Sequence, residues 1–178
     1  QDFQDAYFEA FPEIPEYHRY VIRNLQLSKR LTTLLNRVRH FFGRTTDDAT
    51  FREAIAYLPQ SLVGDVLNLA ILQIWQTNAV QILAQIHDAI IIQYPEDNEA
   101  EILKMVVPLM GIPLYASHTF SDGRTETITH TIPSSVEVGW NWGKFSPSNP
   151  DGLIKWKGAD DRKRNYNPEM SFLDRPVY

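Results

Sequence analysis

Apolar residues recur at helical spacing from the start of the chain, where Phe3, Ala6, Tyr7 and Ala10 predict a short helix. Pro12 and Pro15 interrupt it, and Ile14, Tyr17, Val21 and Leu25 predict a second helical stripe beyond. Leu31 to Leu35 and Val38 to Phe42 read as short strands around a turn at Asn36-Arg37. Thr46, Asp47 and Asp48 place short acceptors ahead of an Ala-rich stretch, the composition of a helix start. The most regular helical pattern runs from Gln60 to Thr77, with Leu62, Val66, Leu69 and Gln73 at steps of three and four. Leu58-Pro59 is expected to form a joint before it.

From Val80 to Pro95 the pattern changes. Gln81 to Ile86 and Ala89 to Tyr94 are β-branched and apolar on both sides of His87-Asp88, which predicts two strands joined by a tight turn. Glu96 to Met110 predicts a helix stopped by Gly111 and Pro113. Tyr115 to Phe120 and Glu126 to Ile132 flank Ser121-Asp122-Gly123-Arg124, a good hairpin turn. Beyond Trp142 the sequence is rich in Pro, Gly, Asn and charge without a period. Gly143 to Tyr178 is therefore expected to be a largely irregular tail that docks on something or moves. The mixture predicts an α+β fold, and no internal repeat is present.

Composition narrows the function. The 178 residues fit one domain or a piece of a larger one, and the 12% aromatic content argues against global disorder. The first residue is Gln1 and not Met, which suggests a processed or truncated chain. Without cysteine there are no disulfides, thiolate zinc sites, iron–sulfur clusters or cysteine nucleophiles. No apolar run approaches the roughly 20 residues needed to span a bilayer, so no membrane partner is expected. A formal net charge of −5 excludes a uniformly basic nucleic-acid binder. From Arg19 to Thr46, however, Arg19, Arg23, Lys29, Arg30, Arg37, Arg39 and Arg44 occur without one acid. Such a window is either a solvated face or a contact to phosphate backbone.

Common catalytic signatures are missing: no Gly-rich phosphate loop, no His-Glu-x-x-His helix, and no nucleophile elbow around any serine. His87-Asp88 is the remaining candidate. A His-Asp pair in a turn is usually structural, but a carboxylate at the tip of an apolar hairpin is held rigidly, as a Mg²⁺ ligand must be. One carboxylate does not hold two metals, so a second must come from elsewhere.

Gln85-Ile86-His87-Asp88 between apolar strands resembles the palm hairpin of family A DNA polymerases, whose pattern is Gln-Val-His-Asp-Glu. Upstream, Phe51-Arg52-Glu53-Ala54-Ile55 and Gln60-Ser61-Leu62-Val63-Gly64-Asp65 resemble the family segment that opens a long palm helix. Ala6 to Ile14 is similar to Tyr-Phe-x-x-Tyr-Pro-Gly-Val, and Leu31 to Arg39 to the Thr-Leu-x-Gly-Arg-Arg stretch. Val136-Glu137-Val138-Gly139-Trp140-Asn141-Trp142 resembles the family's closing Val-Glu-x-Gly-x-Asn-Trp. Five modest motifs in the right order, over about residues 1–143, are together a strong signal.

The resemblance implies an antiparallel catalytic hairpin packed with long helices. It divides the chain into the end of the fingers (1–46), the distal palm with the His-Asp hairpin (47–143) and a C-terminal extension (144–178). It makes Asp88 a ligand of a two-Mg²⁺ site and sets His87 beside the primer terminus. Gln85 would reach the minor groove, Arg52 and Gln60 would contact primer–template, and Arg37 and Arg39 stand where the family keeps arginines. Ala56, Asn36, Ala89 and Ser61-Leu62 depart from the family pattern and suggest a divergent, bacteriophage-like branch. The family's first metal-binding aspartate and its nucleotide-binding helix should precede this stretch. The chain is thus expected to be a C-terminal portion of a DNA polymerase acting on primer–template and dNTPs in the cytoplasm, that of a host cell if the source is viral. It would be inactive without a second chain or N-terminal portion carrying the rest. The alternative is a non-catalytic DNA-binding or assembly subunit that retains the fold.

Overall fold

The computed structural model describes residues 2–119 and 123–156. Two helices open the chain, α1 (Asp2–Ala10) and α2 (Glu13–Ser28), followed by the short strands β1 (Arg30–Thr32) and β2 (Val38–His40). The long helix α3 (Asp48–Gln76) leads to β3 (Gln81–Ile86) and β4 (Ala89–Gln93). A 3₁₀ turn at Glu96–Asn98 precedes α4 (Glu99–Leu109), then come β5 (Leu114–Thr119), β6 (Thr125–His130), β7 (Glu137–Val138) and β8 (Ile154–Lys155). The strands form antiparallel pairs, β1 with β2, β3 with β4, β5 with β6 and β7 with β8. The architecture is α+β. The expected turn residues Ser121 and Asp122, with Phe120, lie outside the described residues.

Helix α3 is the spine. Its first half shares a core with the N-terminal elements, Ala54 and Tyr57 packing with Val21 and Leu25 of α2, Leu31 of β1, and Phe41. In its second half Val66 and Ala70 meet Ile112 and Leu114, with Ile90 of β4 alongside. Ile74 packs with Ile102 and Val106 of α4 and with Ile82, Ile90 and Ile92 of the hairpin. One helix therefore fixes the β1–β2 arm and the β3–β4 hairpin to the same axis.

Three sequence expectations need correction. The joint at Leu58-Pro59 does not form, because α3 runs unbroken from Asp48 to Gln76 with Pro59 inside it. A proline there removes the amide that would bond the carbonyl of Ile55. The hydroxyl of Tyr17, reaching over from α2, donates to that carbonyl at 2.6 Å instead. The vacated acceptor is satisfied from a neighbouring helix, a device that hydrophobic spacing does not reveal. Secondly, α3 is long and apolar enough to cross a membrane by length and composition. Every 18-residue window of it includes Asp65, which is ion-paired to Arg37, and its apolar contacts lie in the core just described. Thirdly, the largely irregular stretch after Trp142 carries short pairings and, of the two alternatives, takes the docked one as far as residue 155. Ile154–Lys155 pairs with Glu137–Val138, and Lys144 and Leu153 form a further bridge, so residues 144–155 fold back on their own chain, while 157–178 of the expected tail lie outside the described residues.

Candidate functional site

The β3–β4 hairpin presents His87 and Asp88 as a two-residue turn closed by the Ile86–Ala89 pair. His87 adopts a left-handed backbone with φ of 52°. Non-glycine residues hold that conformation at a cost of about 1–3 kcal/mol, and histidine tolerates it better than most. Burial alternates along β3, with Ile82, Ala84 and Ile86 turned toward the core and Gln81, Leu83 and Gln85 outward. The register slips between Ile82 and Ala84, making Leu83 the bulged residue. His87 and Asp88 are both exposed. Among the described residues the Asp88 carboxylate has no ion-pair or side-chain hydrogen-bond partner.

Among the described residues no three histidine or carboxylate side chains gather closely enough to hold a metal ion. These residues do not build a complete metal centre. Asp88 is a single exposed carboxylate on the β3–β4 turn.

The basic window divides into two sets. Arg37 is tied to Asp65 of α3, its Nε donating to Oδ1 at 2.6 Å and an Nη closing the ion pair. The Thr33 hydroxyl donates to the other carboxylate oxygen at 3.3 Å, so buried Asp65 is satisfied on both sides. The Asp65 hydrogen bond, and then its charge, push the Arg37 pKa up and fix the guanidinium in its charged form. Asn36 takes the left-handed position of this arm at φ 65°, as expected of asparagine in place of glycine. Arg39 pairs with Glu53 of α3 and lies over the rings of Phe41 and Tyr57 at 5.1 and 5.6 Å. Arg52 approaches Asp48 at 3.9 Å one turn earlier on α3. Arg23, Lys29, Arg30 and Arg44 have no carboxylate partner among the described residues.

The structure thus sets His87, Asp88 and Gln85 on one hairpin, and Arg52 and Gln60 on exposed positions of α3. Arg37 and Arg39 lie on the β1–β2 arm docked to the same helix. No direct contact joins the three groups. Tyr17, Thr33, Glu53 and Asp65, which hold the frame, were not singled out by sequence reasoning. Tyr17 had been placed only on a helical stripe, and Glu53 and Asp65 only as members of the Phe51–Ile55 and Gln60–Asp65 segments.

The model of DNA polymerase family A matches residues 1–144. The chain belongs to this family. Its relatives include DNA polymerase I of Helicobacter pylori, 26% identical over 123 residues covering 65% of this chain and 14% of that protein. DNA polymerase I of Borreliella burgdorferi is 23% identical over 153 residues, 80% of this chain and 16% of that protein. The chain therefore spans about one sixth or less of the length of these family members. In fold it is similar to the POL domain of Pol1 from M. smegmatis, solved in complex with DNA primer-template and dNTP. The TM-score is 0.57 at 23% identity, covering 72% of this chain and 24% of that one.

Proposed function

We propose that this chain is the fingers-to-palm portion of a template-directed DNA polymerase, which transfers a nucleotidyl group to a primer 3′-hydroxyl once the rest of the enzyme is joined to it. The observation that carries the reading is the hairpin tip, where an Asp88 carboxylate without a partner among the described residues lies on a turn whose strands are anchored by Ile82, Ile90 and Ile92. Asp88 would be one ligand of a pair of Mg²⁺ ions, which when bound activate the attacking hydroxyl and stabilise the leaving pyrophosphate.

The other residues position. His87, beside Asp88 on the same turn, would border the primer terminus, and Gln85 on the outer face of β3 would reach the minor groove. Arg52 and Gln60, both exposed on α3, would contact primer–template. The partners are primer–template DNA, dNTPs, and a second chain or N-terminal portion supplying the other aspartate and the nucleotide-binding helix. Residues 1–46 would close the fingers, 47–143 form the distal palm and 144–178 the extension, with cytoplasm as the place of action.

Primer extension with Mg²⁺ and dNTPs tests this reading. The purified chain should be inactive, and mixing with its complement should give extension. Asp88→Asn should then abolish extension and leave primer–template binding intact, because it keeps the side-chain size and removes the charge. Near-normal turnover by Asp88→Asn would remove Asp88 from the metal site and favour the non-catalytic subunit.

A further inference from the structure

We propose that the free edge of β6 docks a second copy of this chain, the two β6 strands pairing antiparallel about Ile128 to join two β5–β6 hairpins into one four-stranded sheet. A hairpin of two strands is marginal by itself, and its unpaired edge either meets water or takes up another strand.

The four strand pairs differ in how they guard their edges. β1 and β2 are three residues long and carry Arg30 and Arg39, and β7 and β8 have two residues each. The β3–β4 ladder is broken by the bulge at Leu83. Short strands, charges and bulges all blunt an edge. The β5–β6 ladder instead runs without a slip over its whole length, from Leu114–His130 to Thr119–Thr125. β6 contains no proline, glycine or lysine, and all its residues are exposed except half-buried Ile128. Among the described residues no backbone hydrogen bond reaches the side of β6 away from β5.

The sequence of β6 selects the occupant. Facing residues of an antiparallel ladder share one side of the sheet, so two identical strands related by a two-fold axis must be centred on one residue. Centring on Ile128 sets Ile128 against its own copy, Thr127 against Thr129 of the second copy, and Glu126 against His130 of the second copy. Thr–Thr and opposite-charge pairs placed directly across a ladder stabilise it. Centring on Thr127 would set Glu126 against Ile128, and centring on Thr129 would set His130 against Ile128, an ionisable group on an apolar one in each case. Glu126 already holds Arg124 at 3.0 Å, and His130 of the second copy would add another donor. Pairing would also bring the two Ile128 side chains together and take their remaining apolar surface out of water. A strand from an unrelated protein could use the same edge, but it gives no reason for Glu126 and His130 to stand equidistant from Ile128. The contact uses neither Asp88 nor any residue named above for DNA, so it stands whichever way the polymerase reading falls.

The test compares charge variants of the full chain by sedimentation velocity over a range of concentrations. Thr127 and Thr129 are exposed, so substitution there leaves the packing of the single chain alone. Thr127→Lys with Thr129→Lys sets like charges together at two places across the axis and should weaken the dimer by roughly tenfold. Thr127→Glu with Thr129→Glu should weaken it as much. Thr127→Lys with Thr129→Glu sets opposite charges in the same two places and should hold the dimer at parental strength or tighter. Net charge alone cannot produce that pattern. The chain has no cysteine, which gives a second measurement. Across the axis the Cα atoms of position 128 would lie about 4.5–5.5 Å apart, within reach of a disulfide. Mild oxidation should therefore link Ile128→Cys into a covalent dimer far faster than Thr125→Cys, whose two copies would be well separated along the strands. A chain that stays monomeric overturns the proposal and leaves the edge to a strand of another protein. Equal sedimentation of the three charge variants, or equal rates of disulfide formation at positions 125 and 128, overturns it and moves self-association to another surface.

Discussion

At the scale of single residues, Tyr17 does what spacing could not foretell. Tyr17→Phe deletes the donor that serves the Ile55 carbonyl opposite Pro59, and should cost about 1–2 kcal/mol in urea unfolding. The same hydroxyl gives a signature at high pH. Burial, with a smaller contribution from the charge of Tyr20, raises the Tyr17 pKa, so the folded chain keeps this proton longer than the unfolded chain. Its contribution is complete below the ordinary tyrosine value of about 10 and is lost as pH rises through the raised folded value. Stability should fall on that alkaline side in the parent and fall less in Tyr17→Phe, and identical alkaline limbs would refute the link. His87 poses the complementary case. Its left-handed backbone is one that glycine adopts freely, so His87→Gly should change stability by no more than about 1 kcal/mol. If the imidazole borders the primer terminus, extension by the complemented enzyme should nevertheless drop; full extension by His87→Gly would make the turn merely structural.

At the scale of elements, the helices and hairpins were legible wherever burial is one-sided. The alternation of β3, the apolar run of β4 and the turn at His87-Asp88 all follow from the residues themselves, because a strand with one packed face must alternate. The unbroken course of α3 was hidden because its support against Pro59 comes from another helix. The basic window was visible, but its division was not: whether an arginine faces a phosphate or a carboxylate depends on Asp65 and Glu53, which stand 28 and 14 residues away from Arg37 and Arg39. That division makes a prediction. Arg37→Gln should chiefly lower the denaturation midpoint and speed amide exchange in the β1–β2 arm, since it strands the buried Asp65 carboxylate. Lys29→Gln, Arg30→Gln and Arg44→Gln together should leave the midpoint nearly unchanged. They should flatten the salt dependence of duplex binding by roughly 0.9 in slope for each phosphate contact removed. The reverse pattern would mean that the paired arginines carry the DNA contact.

At the scale of the whole molecule, the structure leaves its surfaces unfinished. The β3–β4 hairpin is a two-stranded sheet with free edges, and sheets of two strands are marginal without support. Its inner face is packed on α3 and α4, but Leu83 faces out, and Leu69, Leu72 and Trp75, the last 64% exposed, line the outer side of α3. Apolar side chains and unpaired strand edges of this kind invite association. The family members it resembles are many times longer, and this chain covers 14% and 16% of two of them. If the missing portion is what covers the hairpin edge and the outer side of α3, the joined interface should exceed the roughly 1,600 Å² of a standard protein–protein contact. Isolated chain should then self-associate in sedimentation velocity, and its complement should convert it to one defined complex. Trp75→Ser should weaken that complex and at the same time improve the solubility of the isolated chain, because the ring is exposed in one state and buried in the other. A monodisperse, stable monomer whose sedimentation is unaffected by the complement would count against an obligate partner, and would leave a self-sufficient DNA-binding module as the better account of the same surfaces.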